Sequence, residues 1–166
     1  MSVFLSEYLH FIKADWCSVD VLELGCGPGL CGIYLGLLGA SCVLTDLDDV
    51  VKLTKRNIDL NFFTSETVVD QGNIPLTIGY DWCSEEQHIS ELLRKSFEVI
   101  VAADVLYEPC NFEALLQVID RHSTTTTRVY IGFQIRTGTE FEYCQENLTA
   151  MGFNVGLVET DNLPPR

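Results

Sequence analysis

Acidic and aromatic residues recur in this chain where short apolar runs end, and glycines crowd the first of those ends. Glu23-Leu24-Gly25-Cys26-Gly27-Pro28-Gly29 follows Val21-Leu22, with Gly32 three residues later. Glycine lets backbone turn sharply and come close to a ligand, because it has no Cβ to collide. A helix starting near Leu30 would offer free N–H groups to a ligand's carboxylate. Four glycines in eight residues, Gly25, Gly27, Gly29 and Gly32, exceed what an ordinary turn needs, so the segment is read as a ligand-binding turn. Glu23 adds a carboxylate that suits an amine or a ribose and would repel a pyrophosphate.

Asp46 closes the next apolar run, 21 residues beyond Gly25. An acid there can accept hydrogen bonds from both ribose hydroxyls of a nucleotide cofactor, although a helix-capping role is credible with Asp48 and Asp49 following. Tyr80-Asp81-Trp82 ends a third run. Trp82 can cover an adenine face and Asp81 can meet its amino group; a tryptophan at a domain edge is also common. A fourth run ends in Ala103-Asp104-Val105-Leu106-Tyr107-Glu108. A carboxylate buried at that strand end would be costly unless paired, so Asp104, with Tyr107 beside it, is read as functional. Residues 27–32 also match the dinucleotide pattern G-x-G-x-x-G, which keeps a nicotinamide-dependent oxidoreductase as an alternative. Against it, the tight turn begins at Gly25, two residues ahead of the match, and Glu23 is there.

The elements that must position these residues alternate along the chain. Helical patterns run from Val3 to Phe11, through Leu30, Ile33, Tyr34, Leu37 and Leu38 to a stop at Gly39, and from a cap at Asp48 or Asp49 to about Asn61. Ser84 with Gln87 resembles a capping box for a helix through Leu92 and Leu93. Asn111 is expected to cap a helix bearing Phe112, Leu115, Leu116 and Ile119, and Phe141, Cys144, Leu148 and Met151 mark the last, ended by Gly152. Strands are expected at Val21 to Leu24, Cys42 to Thr45, near Leu76 to Tyr80, at Phe97 to Ala103, Val129 to Phe133 and Phe153 to Val158. Six alternations predict an α/β fold, a doubly wound, mostly parallel sheet in one domain spanning residues 1–166. Such sheets bind ligands beyond the carboxyl ends of their strands, at the topological switch point, where the residues above fall.

Composition narrows the chemistry. With 47% hydrophobic and 20% charged residues the chain is not a disordered one, and no apolar run reaches the ~20 residues that span a bilayer. Met1 to Glu7 carries no basic segment of a signal peptide, so a soluble cytoplasmic or nuclear monomer is expected. Seven cysteines include no CxxC pair, which argues for reduced thiols and against a metal site. A net charge of −14 with ten Lys and Arg opposes nucleic-acid binding and favours cationic partners, such as a sulfonium or a lysine.

Together these motifs resemble the seven-β-strand (class I) S-adenosylmethionine-dependent protein lysine methyltransferases of the methyltransferase-like 21 type. The resemblance covers nearly the whole chain. It rests on residues 22–30, Leu44-Thr45-Asp46 with the later Asn57-Ile58-Asp59-Leu60-Asn61, Asp81-Trp82, and the DxxY segment from Asp104 to Tyr107. It implies S-adenosylmethionine contacts at Gly25, Cys26, Gly27, Asp46, Trp82 and Ala103, with Asp104 and Tyr107 bordering a target-lysine channel in a protein substrate. The family's tryptophan-containing segment would precede Met1, because Ser2 to Leu9 aligns with the first helix. A last antiparallel strand would follow Arg166, leaving a sheet edge unfinished. Methyl transfer to histidine, arginine or a small molecule uses the same motifs, and a silent cofactor-binding domain is the non-enzyme alternative. The charge predicts that the chain retains no RNA or DNA in a filter assay at physiological salt; tight, salt-sensitive retention would overturn that expectation.

Overall fold

The computed structural model describes residues 1–12, 15–63, 74–84, 90–136 and 138–158. Helix α1 (Ser2–Ile12) precedes strand β1 (Asp20–Leu24), α2 (Leu30–Leu37), β2 (Ser41–Asp46), α3 (Asp48–Phe62) and β3 (Leu76–Gly79). A 3-10 turn (Glu91–Leu93), β4 (Val99–Ala103), a second 3-10 turn (Pro109–Asn111), α4 (Phe112–Arg121), β5 (Arg128–Gly132) and α5 (Glu140–Ala150) follow. The strands form one parallel sheet in the order β3-β2-β1-β4-β5. The order reverses between β1 and β4, which puts the switch point at their carboxyl ends.

Side chains alternate across a strand, and both faces of β1, β2 and β4 are covered. Val21, Cys42, Leu44, Val99 and Val101 pack with α1, α2 and α3, around Leu5, Leu9, Ile33, Leu35 and Ile58. Leu22, Leu24, Val43, Ile100 and Ala102 pack on the opposite face with α4 and α5, around Leu115, Ile119 and Leu148. Burial on both faces explains why these strands read as continuous apolar runs.

Several local expectations are corrected. Phe153 to Val158 is not a strand: Phe153 and Val155 pack against the core, but no strand among the described residues runs beside the segment, and a strand exists only through its ladder. The residue before α3 is Leu47, so Asp48 and Asp49 lie in the helix's first turn and make no side-chain cap; there they favour the helix through its dipole. Asn111 does precede α4, yet its amide donates to Glu108 Oε2 at 3.1 Å and leaves the helix uncapped by a side chain. Gln87 lies outside the described residues. The described part of that segment is the 3-10 turn, whose Leu92 N–H donates to Ser90 Oγ at 3.4 Å.

The doubly covered sheet yields a contrast in stability. Leu22→Ala, at a fully buried position, is expected to lower the unfolding free energy by about 2–5 kcal/mol. Leu60→Ala, at a position of α3 that is 61% exposed, should change it by no more than ~0.5 kcal/mol. Urea titration of both variants checks the layering.

Candidate active site

Strand register brings the singled-out residues to one edge. Leu24 pairs with Thr45 on one side and Ala102 on the other, so Gly25, Asp46 and Ala103 are neighbours across the switch point. Asp46 is opposite Gly79, which brings the Asp81-Trp82 turn to the same edge.

The glycine turn is held from below and behind. Cys26 N–H donates to Thr45 O at 2.9 Å and Gly27 N–H to Asp46 Oδ2 at 2.8 Å. From α3, Thr54 Oγ1 donates to Gly27 O at 2.7 Å and Asn57 Nδ2 to Pro28 O at 2.8 Å. These two residues sit three apart on one helix face, and sequence reasoning assigned neither a contact with the turn. The glycines divide by role. A Cβ at Gly27 would meet nothing within 4 Å, so this residue, at φ +52°, presents open backbone. A Cβ at Gly25 would come within 2.7 Å of Val105 Cγ1 and 3.2 Å of the Trp82 ring, so Gly25 admits the tryptophan. Gly29 is buried against Thr54 and Leu44 with a left-handed backbone, φ +84°, so packing and conformation both call for a glycine there.

Glu23 is also placed differently from expectation. It is buried beneath α2, and its Oε2 accepts the Gly32 N–H at 2.8 Å. Gly32 is the third residue of α2, whose first N–H groups lack helical partners, and Gly29 at the N-cap has no side chain to serve them. Glu23 therefore caps α2 from the neighbouring strand, with its carboxyl committed to the helix and not aimed at a ligand. Burial raises its pKa from the ordinary 4.5 to about 8, against the lowering effect of the Gly32 bond. The Cys26 thiol is pushed up to about 12, chiefly by burial and then by Glu23, so it stays protonated and contributes backbone to the turn.

At the other strand ends, Asp46 is half-buried with both oxygens engaged: Oδ2 by Gly27 N–H, Oδ1 by Leu47 N–H at 2.8 Å. Each keeps acceptor capacity for a hydroxyl. Trp82 is half-buried against the core, and its Nε1 is a buried donor with no partner among the described residues. Asp81 is exposed and closes its own turn by accepting Cys83 N–H at 2.9 Å. A cavity of about 440 Å³ opens between this turn and α4, lined by Asp81, Trp82, Cys83, Glu113, Gln117 and Arg121; it does not include the glycine turn.

Asp104 has a left-handed backbone (φ +63°) and donates its N–H to Gly132 O at 2.6 Å. Its carboxylate is paired: Arg136 Nη2 donates to both oxygens, at 2.9 and 3.1 Å. Sequence reasoning missed Arg136, a cation four residues beyond β5 and so further from a strand end than Asp46 or Asp104. Tyr107 is 61% exposed at the same mouth. Among the described residues no group of three or more His, Cys, Asp or Glu is arranged to hold a metal.

The parallel order β3-β2-β1-β4-β5, with polar residues gathered at its switch point, is shared with class I methyltransferases. A solved TehB-like S-adenosylmethionine-dependent methyltransferase from Corynebacterium glutamicum shares it, with a TM-score of 0.60 and 21% identity over 87% of this chain and 72% of that one. The lysine methyltransferase family profile matches residues 1–149, and the chain belongs to that family. Protein N-lysine methyltransferase METTL21A of Danio rerio is 30% identical over 135 residues, 81% of this chain and 58% of that protein. The histidine protein methyltransferase 1 homolog of Dictyostelium discoideum is also 30% identical over 135 residues, 78% of this chain and 40% of its own length. The chain spans about half the length of the curated relatives it matches.

Glu23 makes stability depend on pH. Because its folded pKa is raised, the folded state holds a proton that the unfolded state has lost between about 4.5 and 8. Its contribution is full below about 4.5 and is lost as pH rises towards 8. Glu23→Gln retains an acceptor for Gly32 and should flatten that decline in unfolding free energy. Parallel wild-type and variant curves over this range would remove the assignment.

Proposed function

We propose that the chain transfers the methyl group of S-adenosylmethionine to a lysine side chain of a protein. The observation that carries this reading is the common sheet edge. There the open Gly27 backbone, braced by Asp46, stands across the switch point from Ala103 and Asp104. Family membership supports the chemistry.

The residues present suit the cofactor. Asp46 offers its remaining acceptor positions to the ribose hydroxyls, next to the backbone it fixes. Trp82, half-buried at the sheet edge, offers a ring face to the adenine, with Asp81 at the same turn. The cofactor supplies a methyl group activated by its sulfonium. The protein's share is alignment of an amine in line with that bond and exclusion of water, and such orientation can supply roughly 7–11 kcal/mol. Asp104 orients the incoming nitrogen at the crevice mouth, and Tyr107 adds an aromatic wall beside it. Proton loss from the amine to water suffices, so no general base is assigned. A histidine acceptor is the second reading, favoured by the identity to the Dictyostelium histidine methyltransferase.

The test is transfer of radiolabelled methyl groups into a proteome lacking this enzyme, with the modified residue identified by mass spectrometry. Asp46→Ala should weaken cofactor binding by ~1–3 kcal/mol, the scale of hydrogen bonds to a charged group. Asp104→Asn should lower turnover about 100-fold, or ~2.7 kcal/mol in the transition state, with cofactor affinity unchanged by calorimetry. Full turnover in Asp104→Asn would make that residue structural.

A further inference from the structure

A lysine attacks a methyl group only as the neutral amine, since an ammonium has no lone pair. A lone carboxylate at the acceptor site works against that need. An opposite charge within ~4–6 Å favours the charged form, with shifts of about 1–3 pKa units. A bare Asp104 would thus hold the ammonium tightly and in its unreactive form. The methylated product, also a cation near neutral pH, would be held in the same way.

Asp104 is not bare. One guanidinium nitrogen of Arg136 closes on both of its oxygens, and the pairing is built into the backbone on each side. The Asp104 N–H is anchored to Gly132 O at the end of β5. Four residues on, Arg136 N–H donates to Glu140 Oε1 and Gly138 N–H to Glu140 Oε2, each at 3.0 Å. Glu140 is the first residue of α5 and is itself buried. The arch between β5 and α5 is therefore fastened at both feet and presents its guanidinium to Asp104. The two side chains are 39% and 35% exposed, so an incoming chain can reach them.

We propose that Arg136 is a positioning residue for methyl transfer, balancing the charge of Asp104 so that the acceptor site takes lysine as the neutral amine and releases the methylated cation. This rests on the lysine reading above. Among the described residues Arg136 is the cation paired with Asp104. The other charged or titratable groups on the elements around the pair include Glu142, which is exposed, Tyr143, against the Phe112 ring at 5.5 Å, and His10, against the Tyr34 ring at 6.1 Å. Glu140 of α5 is committed to the arch. Glu108, on the segment after β4, accepts Asn111 Nδ2, and Tyr107 is exposed. On α1, which packs across β5, Tyr8 lies against the Tyr130 ring at 6.1 Å and Glu7 is exposed. Arginine suits this task where lysine would not. It keeps its charge through the range in which amines titrate, whereas a lysine loses it near ~10.4.

The experiment measures cation binding by the full chain loaded with S-adenosylhomocysteine, using butyltrimethylammonium, a permanent cation shaped like a methylated lysine. At pH 7.5 and low salt, Arg136→Gln should bind it at least ~10-fold tighter than wild type, the factor that one pKa unit represents. Arg136→Lys should match wild type at this pH, and the gain should vanish in the Asp104→Asn/Arg136→Gln double variant. Equal affinity in wild type and Arg136→Gln, or a gain that survives loss of Asp104, overturns the proposal. Should Arg136→Gln fail to fold, titration of wild type with n-butylamine from pH 8 to about 11.5 still decides. Affinity should rise with pH as the neutral amine forms around ~10.4, and a flat or falling curve overturns it. Methylation of lysine by wild type is scored separately. Its absence would end the lysine reading, while the cation titration reports on the charge balance by itself.

Discussion

Everything at the candidate site depends on the register with which β1 pairs with β2 and β4. Parallel strands paired this way end together, so Gly25, Asp46 and Ala103 are neighbours although 78 residues of chain separate the first from the last. A shift of one residue would turn Glu23 from beneath α2 to the opposite face and move Leu22 and Leu24 out of their cluster. Burial on both faces makes that shift prohibitive, and the chemistry at the edge inherits its precision from the core.

The glycine turn shows how little of such a site is free to bind. Its carbonyls at Gly27 and Pro28 are held by Thr54 and Asn57, and Asp46 holds the Gly27 N–H. Glu23 secures the helix that the turn leads into. What remains for a ligand is the open side of Gly27, spare acceptor positions on Asp46, and the Trp82 ring seated against Gly25. Preorganisation of this kind means that a ligand meets groups already fixed by the fold, and so loses less free energy to ordering them.

Electrostatics divide the site into two unlike halves. On the glycine side a buried carboxyl is driven towards its neutral form, since burial outweighs its hydrogen bond. On the β4 side a partly exposed carboxylate meets a guanidinium. The chain carries a −14 charge overall; the glycine side presents Asp46, held by backbone N–H groups, while the carboxylate of the β4 side is matched by a cation. That balance suits a reaction in which a cationic cofactor must be attracted and a nucleophile must arrive uncharged.

How much of this was legible in the sequence follows from the range of the interactions involved. Apolar runs and helical spacing are local, and they determined five strands, the main helices and the edge at which polar residues gather. The positions of Gly25, Asp46, Trp82 and Asp104 were legible for the same reason, because each lies at a strand end or within three residues of one. Phe153 to Val158 misled because a strand requires a neighbour, and apolar content says nothing of whether one is present. Caps misled at Asp48 and Asn111 because side-chain direction depends on what else competes for it. Only the tertiary structure decided that Glu23 caps α2 from another strand, that Gly29 serves packing, and that Arg136 closes on Asp104 from 32 residues away. Those are contacts between distant segments, whose partners are chosen when the sheet and its flanking helices assemble.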